Sequence, residues 1–180
     1  MADSERHQHY VCTLDEARAI ADGHERFRVS ICGCRKSKSG CARSRADVCL
    51  QLREKTAATG PETRDVDRAF VEGIFAEARE KRLVPRPFRD ARGETEGICF
   101  CCDDCCAYFT EIGNERCDKG KLIESTNLAI CMNCGNCEDA CRFGARVLDG
   151  ELKIDRDRCY GCGLCVDACP EHCIKMVNRE

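Results

Sequence analysis

The chain has 180 residues, 20 of them cysteine, with 6% aromatic residues, no tryptophan and a formal net charge of −3. That length allows one or two small domains, and the cysteine density signals a disulfide scaffold or a metal protein. Disulfides need an oxidising compartment, yet residues 1–11 are polar and show no secretory pattern; the mild acidity disfavours nucleic acid and no apolar run approaches membrane-spanning length, so a cytoplasmic protein whose cysteines are ligands is expected, without membrane insertion.

In chain order, residues 1–12 read as a flexible tail, with His7 and His9 belonging to a mobile terminus rather than to a metal. Thr13 and Glu16 have the form of a capping box, and Leu14, Ala17, Ile20 and Ala21 follow at helical spacing, which predicts a helix over about 14–25. Phe27, Val29 and Ile31 alternate as in a short strand, leading into Cys32 and Cys34, with Cys41 and Cys49 beyond. The basic segment Arg35 to Arg45 reads equally as a solvated loop or as cations offsetting a nearby metal centre. Gly60-Pro61 marks a break, and Val66, Phe70, Ile74, Phe75 and Ala78 predict an amphipathic helix over about 63–83. Pro85 and Pro87 end it, leaving residues 85–96 as an exposed connection.

Cys99, Cys101, Cys102, Cys105 and Cys106 then fall within eight residues. They cannot all enter one core, and disulfide geometry forbids them all pairing within so short a span, so a metal site is expected. Tyr108, Phe109 and Ile112 suggest packing between two regions, and Cys117 reads as a spare ligand or an incidental thiol.

Two runs close the chain, Cys131-x2-Cys134-x2-Cys137-x3-Cys141 and Cys159-x2-Cys162-x2-Cys165-x3-Cys169-Pro170. Both contain C-x-x-C-G-x-C-x-D-A-C, an internal repeat. An iron–sulfur cubane needs four thiolates, and a C-x2-C-x2-C loop wraps three corners; structural zinc prefers two separated pairs. The runs resemble the bacterial two-cluster ferredoxins over about residues 122–180. The resemblance implies two [4Fe-4S] clusters with crossed ligation, one on Cys131, Cys134, Cys137 and Cys169, the other on Cys159, Cys162, Cys165 and Cys141. It also implies an opening strand over Leu128 to Ile130, a closing strand over Ile174 to Val177, and a buried Cys173 near the second cluster. Between the runs, Asp149-Gly150 is a hairpin signal. Arg142 stands where the first run of that family usually carries proline.

The order of helix, strand, I-C-x-C-R, two cysteines, long helix and I-C-x-C-C-x-x-C-C over about residues 13–106 resembles the N-terminal region of ferredoxin-like proteins of anaerobes. Cys32, Cys34, Cys41, Cys49, Cys99, Cys101, Cys102, Cys105 and Cys106 are candidate ligands of one or two further iron–sulfur clusters, or of zinc. The expected architecture is α+β: a tail over 1–12, a helical, cysteine-rich, metal-stabilised domain over 13–120, and a small two-cluster ferredoxin fold over 121–180. With few aromatic residues, the ordinary hydrophobic core is expected to be small. The leading functional expectation is a low-potential electron-transfer protein serving a redox partner, a larger oxidoreductase. One alternative is an iron–sulfur enzyme or reductive activator with an unusual or open-site cluster at Cys99 to Cys106. Another is a ferredoxin with a zinc-stabilised docking domain.

Overall fold

The computed structural model describes residues 7–53, 62–110 and 117–180; the expected break at Gly60-Pro61 and the packing residue Ile112 lie outside them. The N-terminal region is built on a seven-stranded sheet rather than mainly on helices. Its strands are β1 (His9–Tyr10), β2 (Phe27–Ser30), β3 (Cys49–Gln51), β4 (Arg64–Val66), β5 (Val84–Arg89), β6 (Thr95–Cys101) and β7 (Cys117–Asp118), in the order β4-β2-β3-β6-β5-β1-β7. Neighbours are antiparallel, except that β1 and β7 run parallel. Helices α1 (Leu14–Asp22) and α3 (Arg68–Glu80) share a core with one face of this sheet, and a short α2 (Gly33–Ser37) follows β2.

Alternation along each strand decides what each face carries, because successive side chains point to opposite sides. Phe27, Val29, Leu50, Ile98 and Phe100 pack with Ala17, Ala21, Val71, Ile74, Phe75 and Ala78. Each large apolar side chain so buried stabilises the fold by about 1.5–3 kcal/mol. The opposite face receives Ser30, Cys49, Cys99, Cys101 and Arg86; the register sets Ser30 opposite Cys49 and Arg86 opposite Cys99. The core is therefore larger than the composition implied.

Thr13 accepts from the Glu16 backbone N–H at 3.1 Å while Glu16 Oε2 accepts from the Thr13 N–H at 2.9 Å, closing the capping box of α1. The expected 63–83 helix is shorter at its start. Residues 64–66 pair with β2 instead, and Asp67 caps α3 by accepting from the Phe70 N–H at 2.8 Å.

Residues 85–89 are the largest departure, for the expected exposed connection is a buried strand inside the sheet. Two prolines fit there because of the side their missing donors face. The carbonyl of Pro85 accepts from Cys12 N–H, and Arg89 N–H donates to Gln8 O, so alternate residues 85, 87 and 89 turn toward β1. That strand is two residues long and asks for few donors. Opposite Phe88 stands Gly97, where a Cβ would lie 2.3 Å from the Phe88 ring and from Leu50 O. The sheet closes over the ring only because that side chain is absent.

The expected tail is also partly structured: β1 lies in residues 9–10, and Val11 and Cys12 are buried. Pairing with β5 and β7 supplies the order that the polar sequence hid.

After the one-turn helix α4 (Ala107–Thr110) and β7, the C-terminal region pairs β8 (Leu122–Thr126) with β11 (Ile174–Asn178). Between them lie α5 (Asn136–Ala140), the hairpin β9 (Arg146–Asp149) and β10 (Glu151–Ile154), and α6 (Leu164–Asp167). Leu128–Ile130 is a 3-10 turn, not the opening strand. The Asn127 side chain accepts from Ala129 N–H at 3.1 Å and turns the chain before Cys131. Val11 N–H to Asp118 O at 3.0 Å and Gly120 N–H to Tyr160 O at 2.9 Å join the regions. No helix of the described residues is long and apolar enough to cross a membrane.

Candidate metal centres

Two small cavities of about 20 Å³ each lie in the C-terminal region. Cys131, Cys134 and Cys137 line the first, joined by Cys169 from the other run. Cys159, Cys162 and Cys165 line the second, joined by Cys141. Each run thus sends its fourth cysteine across to the other's cavity. The second cysteine of each run is followed by a glycine in the left-handed region, Gly135 at φ 80° and Gly163 at φ 77°, from which α5 and α6 start. Only glycine takes that conformation at no steric cost, and it folds the run back on itself. Cys173 lies in the first cavity rather than near the second, with its Sγ 3.3 Å from that of Cys169.

Between these cavities sits Arg146, 3% exposed, paired to the equally buried Glu124 at 2.7 Å. Burial opposes its charge, and Cys165, Cys137 and Glu124 more than restore it. Its Nη1 is buried without a hydrogen-bond partner among the described residues. Eight soft thiols around an orphaned cationic donor fit a pair of anionic iron–sulfur groups. Burial pushes the Cys162 thiol up to about 12 and the Cys165 thiol up to about 11. Loading a metal there must therefore expel protons.

The N-terminal thiols form something different. A cavity of about 700 Å³ is lined by Cys32 and Cys34 at the start of α2, Cys49 on β3, Cys99 and Cys101 on β6, and Cys105 and Cys106 in the loop after it. The strand register sets Cys49 across from Cys99 on one sheet face, with Cys101 two residues further along the same face. Hydrogen bonds from Cys106 and Cys99 hold Cys101 well below the usual thiol range. Arg86, from the same sheet face, points Nη1 at Cys101 Sγ (3.7 Å) and Cys106 Sγ (3.4 Å), and its buried Nε has no hydrogen-bond partner among the described residues. His7, Gln8 and His9, expected in a mobile end, line the same cavity. Burial, then Arg86, lowers the pKa of His9.

Cys41 and Cys102 stand outside this cavity and meet Cys105 in a separate group. Cys117 is buried on β7, and its thiol helps hold Arg86 charged against burial. In the basic segment, Arg35 is 1% exposed and donates to Phe100 O at 3.0 Å, while Arg43 pairs on the surface with Asp103 and Arg45 with Glu77. The two readings of that segment thus divide by residue, with Arg35 among the thiols and the others solvated.

An aromatic group spans the space between the second C-terminal cavity and the N-terminal one. Tyr160, which lines the former, stacks on Phe143 at 4.5 Å and 14°. Tyr108, which lines the latter, lies 6.1 Å from Tyr160 and 6.3 Å from Phe143, and Arg86 sits 4.2 Å over its ring.

Among known families, residues 130–173 match the 4Fe-4S dicluster domain. No curated protein matches the chain. The chain therefore carries a 4Fe-4S dicluster domain over residues 130–173.

Proposed function

We propose that the protein relays single electrons through three iron–sulfur centres, two in the dicluster domain and one on the thiol wall of the N-terminal cavity. Cys131, Cys134, Cys137 and Cys169 would hold the first cluster, and Cys159, Cys162, Cys165 and Cys141 the second. Cys32, Cys34, Cys49, Cys99, Cys101 and Cys106 supply the ligands of the third. When bound, each four-thiolate cluster supplies a one-electron couple without an open coordination position.

The observation that carries this reading is the aromatic bridge. Tyr160 and Phe143 leave the second cavity, Tyr108 enters the N-terminal one, and Arg86 touches both Tyr108 and the thiols. These half-buried rings pack against Val11, Val84 and Leu164. Arg146 and Arg86 each place a fixed positive charge beside thiolates, which favours an added electron. Leu128, Ile130 and Met132 are exposed beside Cys131, with Met132 at 70%, and offer an apolar face where a redox partner, a larger oxidoreductase, would dock.

Cavity size favours a second reading, that the N-terminal centre also does chemistry. About 700 Å³ is far more than the 20 Å³ left between the thiols of either C-terminal site. Gln8, His9 and Arg86 would line the place of a small anionic substrate beside the metal.

Iron and acid-labile sulfide per chain, on protein purified without oxygen, test the proposal. About twelve irons or more support a third centre, and about eight would overturn it. A spectrum of the third centre that shifts with added substrate would favour the second reading.

A further inference from the structure

Cys41, Cys102 and Cys105 form a compact group of which only Cys105 also borders the cavity. Their Sγ atoms all lie within 4.8 Å of one another, with Cys41 to Cys102 and Cys102 to Cys105 each at 3.4 Å. Among the described residues it is the one group of three cysteines, histidines or carboxylates that compact. Tetrahedral thiolates on one zinc ion, with Zn–S about 2.3 Å, stand about 3.8 Å apart. Thiolates on different irons of a cluster stand further apart, since the iron–iron separation is added. The triad is therefore scaled for a single ion. A disulfide would use two of the three sulfurs and strand the last.

The surroundings are built for such an ion. Cys102 and Cys105 are buried and Cys41 half-buried, so an ion has a way in. Asp104 Oδ2 accepts from Ala42 N–H at 2.8 Å and Asp103 pairs with Arg43 at 2.7 Å, tying the Cys41 loop to the Cys102 loop. Three thiolates on a divalent ion leave one negative charge. Arg35 is buried and donates to Phe100 O at 3.0 Å, on the strand that leads into Cys102. Its Nε is buried without a hydrogen-bond partner among the described residues.

We infer that Cys41, Cys102 and Cys105 bind one zinc-class divalent ion, with Arg35 as the buried counter-cation and water in the fourth position. The site clasps the loop after α2 to the loop after β6. It stands independently of any iron in the cavity, although Cys105 borders both.

The test is zinc and iron content of the full chain, with Cys41→Ser and Cys102→Ser beside the wild type. Cys102 is fully buried and its variant risks misfolding; Cys41 is not, and its variant keeps the test decisive. The expected result is one zinc per chain in the wild type, lost in Cys41→Ser with iron unchanged. Cobalt(II) in place of zinc should give a thiolate-to-cobalt charge-transfer band and strong tetrahedral visible bands, both weakened at least severalfold in Cys41→Ser. Loss of about four irons in Cys41→Ser, absence of zinc and cobalt binding in the wild type, or retention of one zinc in both variants would each overturn the inference. Cys99→Ser reports separately: unchanged iron there would sink the third iron–sulfur centre and leave this site standing.

Discussion

In the dicluster domain, four thiols on short loops close around about 20 Å³ at each site, whereas seven N-terminal thiols line about 700 Å³. The difference lies beneath the ligands. Cys137 and Cys169 belong to a minor apolar group with Leu152 and Ile174, on two two-stranded sheets. Cys49, Cys99 and Cys101 stand on the back of a seven-stranded sheet whose front is packed by α1 and α3. One region has little apolar core beneath its ligand loops. The other holds its thiols in place by its own core.

Stripping iron is the sharpest way to break that comparison. Metal binding contributes on the order of 10 kcal/mol to a small domain that folds around it. Removing iron with a chelator under reducing conditions should unfold residues 122–178, while backbone amides of β3, β5 and β6 stay protected in hydrogen exchange. If β3, β5 and β6 lost protection together with β8 and β11, the N-terminal sheet would not be self-supporting.

The same contrast explains what was legible in the sequence. The three-cysteine loops could be read because the spacing of a short loop is itself the geometry; the crossed fourth ligand came from the family resemblance, and Cys169 lines the cavity of the first run and Cys141 that of the second. The N-terminal pairings are non-local. Cys49 and Cys99 face one another across a strand register, which spacing does not encode. Strand β6 was hidden by its own cysteines: Ile98 and Phe100 alternate with Cys99 and Cys101, a period of two that a dense ligand stretch obscured. Pro85 and Pro87 masked β5, since prolines argue against an inner strand unless the neighbour on that side is short. The place of His9 on the cavity wall comes from β1 alone, where two residues pair with distant strands.

Both regions bury an arginine among thiols, and removing each should cost differently. Arg146→Met strands Glu124 as a buried, uncompensated charge, although Arg156 also reaches it at 3.5 Å. Losing one partner of a buried pair costs about 3–5 kcal/mol, to be read as a lower denaturation midpoint of the iron-loaded protein. Arg86 makes its side-chain hydrogen bonds to Cys101 and Cys106. Arg86→Met should leave the metal-free midpoint within about 1 kcal/mol of wild type and show itself as faster loss of the N-terminal centre. A loss of about 3 kcal/mol or more for Arg86→Met in the metal-free protein would mean that Arg86 also serves a carboxylate.

The smallest expected effect concerns the seam between the regions. Arg142 replaces the proline usual at the end of the first run, and the structure gives the replacement a partner: its Nη1 lies 3.1 Å from Asp103 Oδ2 across the interface. Asp103 in turn pairs with Arg43, so one carboxylate links the dicluster domain, the Cys102 loop and the Cys41 loop. Pro170 holds the matching place in the second run, so Arg142→Pro should preserve the turn and iron loading at Cys141. A half-buried pair of this kind is worth about 1 kcal/mol. Amides near Asp103 and Ala42 should then exchange about fivefold faster, while β8 and β11 keep their rates. If iron at the second cavity fell instead, Arg142 would be supporting the ligand turn rather than the seam.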